Sequence, residues 1–128
     1  MKNQSFQRRL KFAVNGIQSA WETESSFRTH TFMSVGVLIF LGWLRPAPIW
    51  WAVIFLIIGG VLSLELLNTA LEQVVDRLHP EQHPMIAKAK DCAAGAVLVL
   101  SIAAVAIFIA LLAAHFGGNH GPLIPGLF

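Results

Sequence analysis

The sequence predicts an all-α membrane protein with three transmembrane helices and an N-terminal amphipathic surface helix. Three observations carry that expectation. Hydrophobic residues make up 55% of the 128 and charged residues 12%, against about 25% charged in a typical soluble domain. Residues 49–64 hold no charge at all. Of the nine Lys/Arg residues, all but Arg45 lie in the N-terminal segment or between the second and third apolar stretches. The length suits one domain, 1–128, and a net charge of +2 is too small to point to nucleic acid.

The elements follow in order. Residues 1–28 interleave Lys2, Arg8, Arg9, Lys11 and Arg28 with apolar side chains. Leu10, Val14, Ile17 and Trp21 fall on one helical face bordered by basic residues, the pattern of a helix lying among anionic headgroups. A first span occupies about 29–45. Its apolar stretch, 31–44, is shorter than the roughly twenty residues a crossing needs. The helix therefore extends back through Phe27, with Arg28 and His30 snorkelling or facing protein.

The turn Arg45-Pro46-Ala47-Pro48 is tight, which makes the first two spans antiparallel neighbours. Trp43, Trp50 and Trp51 flank it, as in an interfacial aromatic belt. A second span, 48–70, continues as a polar-striped helix to about Leu78. Pro80 and Pro84 then bar an uninterrupted helix, which resumes near Met85. The third span covers 91–116, and its Ala93-Ala94-Gly95-Ala96 start suits close helix packing. Residues 117–128 are Gly/Pro-rich and are expected to form a flexible tail. The Lys/Arg distribution puts the N-terminus and the second loop in the cytoplasm and the C-terminus outside.

The second span carries the chemistry. In Glu65-Leu-Leu-Asn68-Thr-Ala-Leu-Glu72-Gln-Val-Val-Asp76 the polar residues fall at about 0°, 300°, 340° and 20° around a helix. They form one narrow stripe. Carboxylates near the hydrocarbon are costly and suggest function, although a structural seam at a helix–helix contact is an alternative. An ion path is another, but it needs polar groups through the whole bilayer, and here they stop at the cytoplasmic half. Glu72 lies about 10 Å nearer the cytoplasm than Glu65, so Glu65 suits a lipid headgroup and Glu72 and Asp76 a soluble ligand.

A second acidic pair, Glu22 and Glu24, together with the stripe suggests a hard divalent cation such as Mg²⁺. Lys90-Asp91 and Glu81-Gln82-His83 add a cation for phosphate and polar groups for a nucleotide. Carboxylate, metal, lysine and a lipid hydroxyl are the parts of a phosphoryl-transfer site. Neither a Walker-type phosphate loop nor a protein-kinase signature is present. Three helices with one polar face do not enclose a site alone, which favours an oligomer.

The stripe, then Glu81-Gln-His83-Pro84 and Ala89-Lys90-Asp91-Cys-Ala-Ala-Gly-Ala-Val, resembles the prokaryotic diacylglycerol kinase family. Phe12-Ala-Val-Asn15-Gly16-Ile17, Trp21 and Glu24-Ser-Ser-Phe27-Arg28 resemble it too, so the likeness runs over about 6–116. It implies a homotrimeric lipid kinase of the bacterial inner membrane that uses ATP and Mg²⁺, with sites shared between subunits. By the family pattern Glu65 is the base, and Glu24 and Glu72 hold the metal. Asn68 and Lys90 contact the phosphates and count with Glu65 as catalytic. Phe12, Asp76, Glu81, Gln82, His83 and Asp91 line the nucleotide site, Phe12 standing where the best-known form has tyrosine. Asn15-Gly16, Phe27-Arg28-Thr-His30, His83-Pro84 and Ala93-Ala94-Gly95-Ala96-Val97 are similar to the undecaprenol kinase branch. The implied acceptor is diacylglycerol, with undecaprenol as the alternative.

Overall fold

The computed structural model describes residues 5–117 as four helices: α1 Phe6–Thr23, α2 Ser25–Leu44, α3 Pro48–Leu78 and α4 Pro84–Phe116. Lys2 and residues 118–128 of the expected tail lie outside the described residues. The last three helices are long and apolar enough to cross a membrane. At 1.5 Å per residue the 20 residues of α2 span about 30 Å, the thickness of the hydrocarbon. With 31 and 33 residues, α3 and α4 reach about 46 and 50 Å. The excess is the polar end of each, where the two helices are joined.

The breaks have local causes. Ser5 caps α1 by accepting the Arg8 N–H at 3.4 Å. Among the described residues the helix does not run unbroken to 28, because the chain turns at Glu24 into extended backbone, φ −113° and ψ 107°. No proline or glycine marks that turn. Arg28 secures it, donating from Nη1 to the Trp21 and Glu22 carbonyls at 2.6 and 3.3 Å. The guanidinium thus satisfies carbonyls that the end of α1 leaves open. Arg45 ends α2 in the left-handed region, φ 55° and ψ 54°, with its N–H on the Leu41 carbonyl. Pro48 then opens α3, and Pro84 opens α4 beneath a His83 cap that accepts the Met85 N–H at 3.1 Å. Proline at a first turn forfeits only an N–H that had no helical partner.

All the other helices pack on α3. Near the Arg45 turn Leu41, Leu44, Ile54 and Leu111 bury together, and the Phe40 and Phe108 rings meet at 5.7 Å. Elsewhere large apolar side chains stay outward, Leu56 at 78% and Val99 at 69% exposure. That is the habit of helices whose solvent is lipid. On α1, Leu10, Val14 and Ile17 are likewise uncovered.

The close approach between α3 and α4 falls at Gly60, not at the small-residue start of α4. A Cβ on Gly60 meets Leu100 Cδ2 at 3.0 Å, whereas one on Gly95 has nothing within 4 Å. Gly60→Ala is therefore expected to be nearly neutral, since the tip of Leu100 yields. Gly60→Val forces the helices apart and costs about 1–3 kcal/mol. Thermal unfolding in detergent checks the pair, and equal melting temperatures for both variants contradict it.

Candidate active site

Glu65 is the buried carboxylate of the stripe, 6% exposed. Two side chains of α2 reach it: the Ser26 hydroxyl donates to Oε1 at 3.0 Å, and His30 Nδ1 is paired with the same oxygen. A buried carboxylate needs such partners, because loss of water otherwise disfavours its charged form. The turn at Glu24 is what starts α2 early enough to bring Ser26 and His30 beneath α3. Neither was expected in the site. The available signal was their spacing: Ser26, His30 and Ser34 recur every fourth residue, drawing a polar line along α2.

One turn along α3, Asn68 is half-buried and its Oδ1 lacks a partner among the described residues. Glu72 is half-buried and Asp76 exposed. Asp76 is paired with the Lys90 ammonium across the α3–α4 junction. Below them a cleft of about 650 Å³ is lined by Asp76, Glu81, Gln82, His83 and Lys90, with His79 and the two prolines. Five of the residues expected around a nucleotide, Asp76, Glu81, Gln82, His83 and Lys90, thus line one cleft. The imidazole of His83 spends Nδ1 on its helix cap. Glu81 lies 3.4 Å from His79 Nδ1 and is 78% exposed on its side chain.

Other expected residues stand apart from that cleft. Asp91 is exposed beside Lys90, Phe12 is 40% exposed on α1, and Glu24 is half-buried at the α1–α2 turn. Lys90 shares the depth of Asp76, which is eleven residues and so about 16 Å from Glu65 along the helix. Within one chain the lysine does not sit beside the buried carboxylate.

Among the described residues no three His, Cys, Asp or Glu side chains gather as a metal cage. Magnesium does not require one, since one or two carboxylates and substrate phosphates suffice. Glu72 and the unclaimed Asn68 oxygen, a turn apart on one face, are hard oxygen donors of the right kind. Glu24 begins a helix packed on α3. These residues fit the ion. A second cleft of about 290 Å³ opens between α2, α3 and α4, lined by His30, Ser34 and apolar groups such as Val61, Val105 and Phe108.

Comparison with known proteins shows which family the sequence matches. The sequence family described as prokaryotic diacylglycerol kinase matches residues 11–112. The undecaprenol kinase of Bacillus subtilis (strain 168) is 44% identical over 90 residues, covering 70% of this chain and 73% of that protein. The diacylglycerol kinase of Synechocystis sp. is 46% identical over 99 residues, 77% of this chain and 57% of its own length. The diacylglycerol kinase of Escherichia coli (strain K12) is 33% identical over 106 residues, with 83% and 87% covered.

Proposed function

The chain belongs to the prokaryotic diacylglycerol kinase family and is a membrane lipid kinase, and from that premise we propose that it converts diacylglycerol to phosphatidate with ATP. The observation that carries the site assignment is Glu65, a carboxylate shut away from water on the one polar face of a membrane-spanning helix. Such a group can take a proton from an acceptor that arrives through the bilayer.

In this reading the lipid hydroxyl gives its proton to Glu65 as its oxygen forms the new bond to the γ-phosphorus. The bond from that phosphorus to the β,γ-bridging oxygen breaks, and ADP leaves with the electron pair. Asn68 meets the phosphates near Glu65. Lys90, at the depth of Asp76, neutralises phosphates further from the reacting one. Glu81, Gln82 and His83 flank the rest of the nucleotide in the cleft, and Phe12 and Asp91 would reach it from a neighbouring subunit. Glu24 and Glu72 would hold Mg²⁺, which supplies charge neutralisation on the phosphates. The remaining work is positioning.

The Lys/Arg distribution supports a cytoplasmic N-terminus and an outer C-terminus in the bacterial inner membrane. The uncovered apolar face of α1 suits a helix lying at that cytoplasmic surface. The separation of Glu24, Phe12 and Asp91 from the nucleotide cleft supports a homotrimer in which neighbouring subunits complete each site.

Undecaprenol is the second acceptor, favoured by the 44% identity to an undecaprenol kinase. Both lipids present a hydroxyl at the interface and differ in their tails. Mixed micelles offering diacylglycerol and undecaprenol with labelled ATP decide between them. We expect labelled phosphatidate with the larger kcat/KM. Label on undecaprenol alone reverses the acceptor, and no labelled lipid removes the kinase reading.

A further inference from the structure

We propose that His30 is a positioning residue for Glu65, acting through its Nδ1–H to leave one chosen carboxylate oxygen free to take the lipid proton. The inference rests on Glu65 being the base. Two donors from α2, the Ser26 hydroxyl and His30 Nδ1, converge on the same oxygen, Oε1. Among the described residues Oε2 accepts nothing. A carboxylate accepts only, so opposite an ionised Glu65 the imidazole carries its proton on Nδ1. Both partners sit one turn apart on a helix packed against α3. Together they fix the rotation of the carboxylate about its terminal torsion, which is otherwise broad. The proton acceptor thereby has one address, Oε2, instead of two that exchange.

This assignment separates His30 from residues that bind substrate. Its removal lets the carboxylate turn, so the fraction of time that an oxygen faces the hydroxyl falls while both substrates still bind. Loss of alignment of this kind costs on the order of 10- to 100-fold in rate. Asparagine restores the arrangement, because its amide N–H₂ lies at the same distance from the backbone as His30 Nδ1.

The experiment compares His30→Ala, His30→Asn and Glu65→Gln in mixed micelles, with Mg·ATP affinity measured by calorimetry to establish that each variant is folded. The expected result is a fall of about 10- to 100-fold in kcat for His30→Ala, with KM for ATP and lipid within about twofold. His30→Asn should recover most of the lost rate. Native kcat in His30→Ala overturns the proposal, as does a rise in KM at unchanged kcat. Equal impairment in Ala and Asn variants also overturns it, since the N–H donation is then not what matters. Full activity in Glu65→Gln is a different failure: it removes the base itself, and the role of His30 falls with it.

Discussion

Glu65→Gln is expected to bind Mg·ATP with nearly native affinity and to lose at least about 100-fold in kcat. The substitution keeps shape and removes the charge. The glutamine carbonyl still accepts from Ser26 and His30, so the packing of α2 against α3 survives. In place of Oε2 stands an N–H₂, a donor where the reaction needs an acceptor. The nucleotide cleft, whose nearest lining residue on α3 is Asp76, is about 16 Å away and should not register the change. Two measurements check this, lipid phosphorylation in mixed micelles and calorimetric titration with Mg·ATP. An unchanged rate means that another group takes the proton. A lost rate together with lost nucleotide binding means that Glu65 belongs to the nucleotide site instead.

The features legible in the sequence were those set by chain-local physics. The breaks before α3 and α4 were readable because Pro46, Pro48, Pro80 and Pro84 forbid continuous helix. The stripe of Glu65, Asn68, Glu72 and Asp76 was readable because helical periodicity alone puts four such residues on one face. The break at Glu24 was not readable. It carries neither proline nor glycine, and Arg28 holds it through main-chain carbonyls that no side-chain pattern announces. The partners of the stripe were equally hidden. Ser26 and His30 meet Glu65, and Lys90 meets Asp76, only because α2 and α4 take one register against α3. That register comes from packing, such as Leu100 closing on Gly60.

The same division holds for Lys90. Spacing in sequence ranked the acids by depth but said nothing of Lys90, which depends on how α4 returns beside α3. The structure sets the lysine beside Asp76, and in the proposed reading its charge serves the nucleotide end of the site. The reacting end then depends on groups from the stripe and from α2.

Glu72→Gln is expected to lose about 100-fold or more in turnover at low magnesium and to recover part of it as magnesium is raised. The reasoning starts from position. Glu72 lies two turns below Glu65 and one turn below Asn68, whose buried oxygen no described residue satisfies. No described residue hydrogen-bonds the Glu72 carboxylate either, so a neutral isostere leaves no protein group unpaired and the melting temperature should hold. What changes is the attraction for a divalent cation, which relies on carboxylate charge when phosphates supply the other ligands. The apparent affinity for Mg·ATP therefore weakens in Glu72→Gln, and excess metal compensates by mass action. Glu65→Gln lacks a proton acceptor rather than a metal ligand and gains nothing from added magnesium. Titrating magnesium against rate for the two variants side by side separates the roles. Normal turnover of Glu72→Gln at low magnesium removes Glu72 from the metal site. Identical magnesium responses in both variants remove the division of labour along α3.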